Sequence, residues 1–399
     1  MLWTIGGQMQ LVALSYYVYT NTGEALNLGY IGLFLFLPAI SFSLLTGAVA
    51  DRFDRRAIVM VCQCTMVLAS LALFYITGRP GHALWPIYAV LFVTGTAMAF
   101  ATPASQSLLP LLVPAKHFPN AVVWNSTIWQ VATVVGPGAG GMLVAHLGAP
   151  RVFLIDASMT TGAFCCYLFM KIRTGRMEKS AVNWKSVTAG IHFIFQRKAV
   201  LGAISLDLFA VLFGGATALM PVFATDILHV GAVGFGWLRA APSVGAAITA
   251  MAMAYVPPIR RAGATMFWCV AAFGACTIVF GLSRIYLLSF AVLVILGAVD
   301  MISVIIRHTL VTVMTPPSMQ GRVSAVNSVF IGASNELGEF ESGLTAHWFG
   351  AVRAVVLGGI GTLMVTGLWA RLFPTLRQYG RLDQQHTHDL DEPRNTEPS

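Results

Sequence analysis

The sequence predicts an all-α integral membrane protein, with twelve transmembrane helices in two six-helix, pseudo-symmetric halves. Three observations lead there. Of 399 residues, 57% are hydrophobic and only 10% charged, where a soluble domain carries about 25% charged residues. The apolar residues form twelve runs, approximately 1–20, 28–50, 57–77, 84–106, 120–145, 152–172, 199–225, 233–255, 264–283, 286–307, 321–346 and 351–373. Each is close to the roughly 20 residues a helix needs to cross the hydrocarbon. The third observation is an internal repeat.

At a constant offset of 202, Pro114 matches Pro316, Asn125-Ser126 matches Asn327-Ser328, and Gly136 matches Gly338. Gly141 then matches Gly343, Gly148 matches Gly350, Arg151 matches Arg353, and earlier Gly29 and Gly32 match Gly231 and Gly234. The chain divides accordingly into an N-terminal half (1–172), a polar linker (173–198), a C-terminal half (199–373) and a polar tail (374–399) expected to be disordered. Within the linker, Trp184, Val187, Ile191, Ile194 and Phe195 recur at helical spacing opposite Lys185, Thr188, His192 and Lys198. That pattern predicts a short amphipathic helix lying on the inner leaflet, with His192 at the interface.

Basic residues set the orientation. Placing both termini in the cytoplasm puts Arg52, Arg55, Arg56, Lys116, Arg260, Arg261, Arg307, Arg322, the linker and the tail on one side. Only Arg79, Arg151, Arg284 and Arg353 remain opposite, the bias expected of cytoplasmic loops. The net charge of +8 is thus a topological signal, and no basic run interleaved with aromatics suggests nucleic acid. All six cysteines fall in apolar runs and read as buried free thiols, Cys62-x-Cys64 lacking a zinc or redox spacing. His386-x-His388 in the tail lacks further ligands, so neither metal nor cofactor is expected. No span end collects a catalytic set and no nucleotide-phosphate motif is present, which argues against an enzyme or an ATPase.

The stretch Gly47-Ala-Val-Ala-Asp51-Arg52-Phe-Asp54-Arg55-Arg56 packs five charges between two apolar runs, so it marks a tight turn at a membrane surface. Asp51 or Asp54 is placed to cap the helix that follows. The pattern G-x-x-x-D-R-x-x-R-R resembles the loop between the second and third helices of major facilitator superfamily transporters, where it works as a conformational latch. The second half keeps only Arg260-Arg261 of it. Gly234-Phe-Gly-Trp-Leu-Arg239-Ala-Ala-Pro242-Ser-Val-Gly245, Gly321-Arg322-Val-Ser-Ala-Val-Asn327-Ser328 and Ser334-Asn335-Glu336-Leu-Gly338-Glu339-Phe-Glu341-Ser342-Gly343 are most similar to the enterobactin-exporter-like branch, or transmembrane secretion effector group. Gly136, Pro137, Gly140 and Gly141 resemble the core of a fifth-span motif of proton-coupled drug exporters, although Ala132 stands where an upstream glycine would sit.

The resemblance implies the major facilitator fold and a multi-pass protein of the bacterial inner membrane, functional as a monomer among membrane lipid. It implies a proton-coupled exporter of a small amphiphilic molecule, a siderophore or drug, working by alternating access. A facilitator, importer or lysolipid flippase of the same fold is the alternative. A non-transporting sensor or scaffold would not need buried acids beside glycine-rich helices.

Ionisable residues within spans are costly and usually pair or function. Here they crowd the second half: Asp207, Arg239, Asp300, Glu336, Glu339 and Glu341, against Asp156 with Gln8 and Gln10 in the first. Glu336 and Glu339 are three apart and share a helix face near mid-membrane, while Glu341 lies about 200° round from Glu339. Glu336, Glu339, Asp207 and Arg239 are therefore the proton-coupling candidates; the competing reading has Arg239 and Arg307 simply neutralise two acids. Asp300 and Arg307, seven apart on one face, read as a structural pair. Gly136-Pro137-Gly138 predicts a bend, either a packing kink or a seal against the eighth span at Pro242 and Gly245. Tyr16, Tyr17, Trp124 and Trp129 with Asn125, Gln130, Asn327 and Asn335 are the cavity candidates.

Overall fold

The computed structural model describes residues 1–79, 81, 83–170, 184–255, 259 and 261–380. The side chains of Gly47, Asp51 and Arg52, together with Arg260, the start of the linker, His386, His388 and most of the polar tail, lie outside what is described. The described residues are helical almost throughout and include no strand. Six long helices come first: α1 (Leu2–Thr22), α2 (Ala25–Arg52), α3 (Arg55–Thr77), α4 (Trp85–Leu112), α5 (Phe118–Leu147) and α6 (Ala149–Phe169). α7 (Trp184–Gln196) is the short linker helix. α8 (Lys198–Phe213) continues through a 3-10 turn (Ala216–Leu219), α9 (Met220–Val222) and a wide turn (Phe223–Ile227). Then follow α10 (Gly231–Met253), α11 (Ala262–Leu282), α12 (Tyr286–Met314), α13 (Pro317–Phe349), α14 (Ala351–Leu372) and α15 (Pro374–Arg377).

Among the described residues nine helical stretches are long and apolar enough to cross a membrane. The other three long helices, α1, α10 and α13, are diluted by polar residues: Gln8 and Gln10, Arg239, and the Asn327–Glu341 series. Several helices outrun the apolar pattern, because backbone hydrogen bonds made within a helix need no lipid to persist. α12 extends to Met314, so Arg307, expected in a cytoplasmic loop, lies inside a helix and is 5% exposed.

Helix ends follow local chemistry. Asp54 caps α3, accepting the Arg56 backbone N–H at 2.9 Å, which settles which of the two aspartates does so. Proline opens α4, α5, α6 and α13, where its missing N–H would be unpaired anyway. Gly148 ends α5 at φ 80, ψ 155 and Gly350 ends α13 at φ 84, ψ 153. Their N–H groups donate to Val144 and Ala346 at 2.9 and 2.8 Å, so donors and acceptors all keep the offset of 202. Positive φ suits glycine alone here, and the sequence repeat is a repeat of backbone conformation.

The Asp54 turn and α7 mark one end of the bundle, the turn end; Gly23, Gly148, Ser283 and Gly350 mark the far end. At the far end one apolar core runs through both halves, joining Leu14, Leu28, Phe153, Phe223, Phe235 and Val355. Towards the turn end the cores separate. One holds second-half residues such as Val200, Met266, Leu310 and Val323; two smaller ones hold first-half residues such as Val59, Met66, Ala101 and Leu108. Among the described residues the halves thus share one apolar core at the far end and none at the turn end. Val61, Leu68, Leu287 and Met364 face outward as a lipid-facing surface requires. Cys64, Cys165 and Cys166 share that surface, so only Cys62, Cys269 and, in part, Cys276 are buried as expected.

Candidate functional site

The site lies where α13 crosses α2. Glu336 and Glu339 both face Gly32, where an added Cβ would stand 2.9 Å from a Glu336 oxygen and 3.2 Å from a Glu339 oxygen. Next to it, Gly29 lies against the Phe340 backbone and Gly343 against Gly29, at 3.1 and 3.0 Å for a Cβ built at each. Glycines let the two backbones approach as small residues do in membrane bundles. Arg239 of α10 stands 3.7 Å from Glu339 and donates to the Thr217 carbonyl at 3.3 Å. The Thr217 hydroxyl donates to the same Glu339 oxygen at 3.5 Å. Thr217 belongs to the 3-10 turn that interrupts the α8 course, and its carbonyl accepts from both the Met220 N–H and Arg239. Glu336 has no hydrogen bond or ion pair among the described residues, so of the two carboxylates only Glu339 is paired with the guanidinium. Glu341 points elsewhere, accepting from its own helix at Thr345, 2.7 Å.

A second crossing, α5 on α10, is uncharged. A Cβ on Gly141 would meet the Ala232 carbonyl and stand 2.8 Å from the Gly236 Cα; one on Gly236 would stand 2.5 Å from the Pro137 carbonyl. Gly136 and Gly140 turn the other way, against Gln8 and Met9 of α1. The glycine motif thus holds α5 between α1 and α10. Gln130 bridges the halves by donating to the Ser243 carbonyl at 2.8 Å. The expected partners on the eighth span need correction. Pro242 and Gly245 face α12, the Pro242 carbonyl against Gly297 and Gly245 against the Val294 carbonyl, and Gly236 closes on α5 instead.

The far end carries one more tie between halves: the Tyr19 hydroxyl donates to the Asp226 carboxylate. Asp226 sits in the wide turn after α9, which no periodicity in the sequence marks. Tyr16 stacks on Phe235 with centroids 6.1 Å apart, and both it and Tyr17 are partly buried against the far-end core. Trp124, Asn125 and Trp129 are exposed on α5, and Asn335 is exposed on α13. Asn327 has a buried side-chain oxygen with no hydrogen-bond partner among the described residues.

Elsewhere Arg307 pairs with Asp207 of α8, not with Asp300 as the spacing suggested; the shared helix face is real, but α8 brings an acid closer. Asp156 is 3% exposed and accepts from Ser70 at 2.6 Å and Thr160 at 3.5 Å, while Gln10 donates to Ser70 at 3.0 Å. At the turn end Arg56 donates to the Tyr167 and Leu168 carbonyls at 2.9 and 2.7 Å, tying the start of α3 to the end of α6. His192 is engaged by Gln196 of its own helix at 2.8 Å, and no group of three or more His, Cys, Asp or Glu suited to a metal occurs among the described residues.

Residues 1–398 match a family described as transmembrane secretion effector. An enterobactin exporter, EntS, from Citrobacter koseri is 24% identical over 318 residues, covering 80% of this chain and 73% of the relative. Among solved structures, a mutant of the nucleoside transporter NupG superposes with a TM-score of 0.72 at 12% identity, covering 93% of this chain and 99% of its own. A bacterial homolog of the human lysosomal transporter Spinster, inward-facing and unoccupied, also gives 0.72 at 14% identity, covering 95% and 96%.

Proposed function

Because the chain belongs to the transmembrane secretion effector family of major facilitator transporters, we propose that it exports a small amphiphilic molecule, of the siderophore or drug class, in exchange for protons. The observation that carries this reading is the α2–α13 crossing, where Glu336 and Glu339 both face Gly32 at a joint between the halves and only Glu339 is paired, with Arg239. Coupling alternating access to protons requires a group that binds a proton in one state and releases it in the other. With the far end sealed, Gly32 presses on both glutamates and shields them from water on the far side. Rocking the far end open draws α2 off α13, wets the pair and lets one carboxylate take a proton from outside. Sealing the far end again returns that proton to a site in contact with the turn-end cavity, where Arg239 competes for the carboxylate and the proton leaves. Substrate moves the opposite way. The basic residues of the linker and turn support a cytoplasmic turn end, and cytoplasmic termini, in a bacterial inner membrane. The siderophore class is suggested by the exporter relative, at an identity too low to name the compound.

The test is transport in proteoliposomes with siderophores, macrolides and lysolipids, with and without an imposed pH gradient. Glu→Gln keeps the shape and fixes the neutral form. Glu336→Gln or Glu339→Gln is expected to abolish gradient-driven accumulation while leaving substrate exchange largely intact, and Glu341→Gln to do less. If both single variants still concentrate substrate at the wild-type level, the proton site is elsewhere.

A further inference from the structure

We propose that the second half contains a separate one-proton site, a small cavity between α8, α11 and α12 in which Asp300 holds the proton. The cavity is lined by Asp207, Cys269, Val270, Phe273, Asp300 and Ser303, among others, and has room for about one water molecule. Asp300, Ser303 and Arg307 lie at i, i+3 and i+7, on one face of α12. Arg307 is committed to Asp207; both are buried, and together they are neutral. Asp300 has no hydrogen bond or ion pair among the described residues. Charge accounting therefore leaves one negative charge without a counterion beside an apolar wall of Val270 and Phe273, an arrangement that a bilayer interior disfavours.

Ser303 points independently to an occupant. It is 3% exposed, yet its hydroxyl has no hydrogen-bond partner among the described residues. Other hydroxyls in these helices bond back to their own carbonyls: Ser205 to Leu201, Thr277 to Phe273, Thr309 to Ile305. Ser303 leaves its helix unbonded and lines the cavity instead. Buried hydroxyls normally find a partner, and a cavity water bridging Ser303 to Asp300 is what fits. The charged and titratable groups around Asp300 are Asp207 from α8, Cys269 from α11 and Arg307 from α12 itself. α10, which packs on α12 through Pro242 and Gly245, brings none to the cavity.

The missing positive charge is a proton rather than a metal ion. Hard cations gather about six oxygen ligands, and the cavity presents three oxygen-bearing side chains among helix carbonyls already in use. A hydronium ion from the turn end gives its proton to an Asp300 oxygen and leaves as water. Asp300 lies midway along α12, with Arg307 about 10 Å nearer the turn end. Whether this proton is also counted in export rests on the function proposed above; the site itself does not.

Infrared difference spectroscopy on the full-length protein in sodium-free buffer tests the site directly. On acidification of the Glu336→Gln/Glu339→Gln double variant, in which those glutamates cannot contribute, a protonated-carboxyl band that shifts in D2O is expected. A component of it should be lost when Asp300→Asn is added and move when Ser303→Ala is added. Absence of the band in the double variant, a band unchanged by adding Asp300→Asn, or its suppression by added sodium overturns the proposal. If Asp300→Asn does not insert, Ser303→Ala decides, since an unmoved band places the proton elsewhere. The result stands apart from transport: loss of gradient-driven export in the glutamate variants neither creates nor removes this band.

Discussion

The two crossings that seal the far end are built by equivalent helices, yet only one carries charge. Gly141 meets Gly236 on α10, and its repeat partner Gly343 meets Gly29 on α2. At the same offset Glu336 and Glu339 correspond to Val134 and Pro137. The first crossing closes with backbone packing and one hydrogen bond from Gln130. Closure therefore needs no ions, and the glutamates opposite are an addition to a joint that packs without them. Packing that serves both halves has kept the symmetry of the repeat; the charge, placed on one side alone, is where the halves have specialised.

The comparison breaks most sharply at the uncharged crossing. Gly141→Leu places a side chain where even a Cβ overlaps α10, and neither backbone has a flexible end to give. Overpacking of this kind costs about 1–3 kcal/mol, enough to hold the far end open by about tenfold or more. Spin labels at Asn21 and His229, both exposed and on opposite halves, should report a lengthened distance, and transport should be lost. A wild-type distance with wild-type transport would show that the α5–α10 contact is incidental. Gly343→Leu is expected to act in the same direction but less strongly, since a Cβ there stands 3.0 Å from Gly29 rather than overlapping it.

A smaller effect is expected from the turn end, where the halves stand apart. Asp51→Asn keeps the turn but removes the charge of the latch-like loop. We expect a well-folded, well-inserted protein whose transport slows about tenfold, the consequence of ~1.4 kcal/mol on a conformational barrier. Unchanged transport rates in inserted protein would leave the loop a topological signal only.

Much of this architecture was legible because lipid leaves few choices. Twelve apolar runs, an offset of 202 and a one-sided distribution of arginines predict span number and pseudo-symmetry, and the glycine turns at Gly148 and Gly350 reproduce the repeat in their dihedral angles. Helical spacing placed Glu336 with Glu339 and turned Glu341 away, since the 3.6-residue period is a property of one element. Partners across elements were not legible in the same way. Arg307 had two acids to choose from, and only the approach of α8 decides for Asp207. Thr217 and Asp226 owe their places to breaks in the helix after α8, where periodicity gives no register. Pro242 and Gly245 looked like partners for α5, but small residues say that something approaches closely without saying which helix does.

The smallest expected effect concerns the far-end tie outside both crossings. Tyr19 is 6% exposed and donates to Asp226, joining α1 to the wide turn of the second half. Tyr19→Phe removes the hydroxyl and little volume, so the apolar contacts of the ring with the far-end core survive. What is lost is one hydrogen bond to a carboxylate that is itself exposed, so the cost falls at or below the low end of the about 1.5–3 kcal/mol of bonds to charged groups. Opening the far end lets water replace that donor, which offsets part of the loss. The sealed state should therefore weaken by only a few-fold, seen as a minor population of longer distances between labels at Asn21 and His229. Asp226→Asn keeps an acceptor for the same hydroxyl and should shift the distances less. If Tyr19→Phe lengthens them as much as Gly141→Leu, the tie rather than the glycine packing holds the far end shut, and the comparison of the two crossings loses its basis.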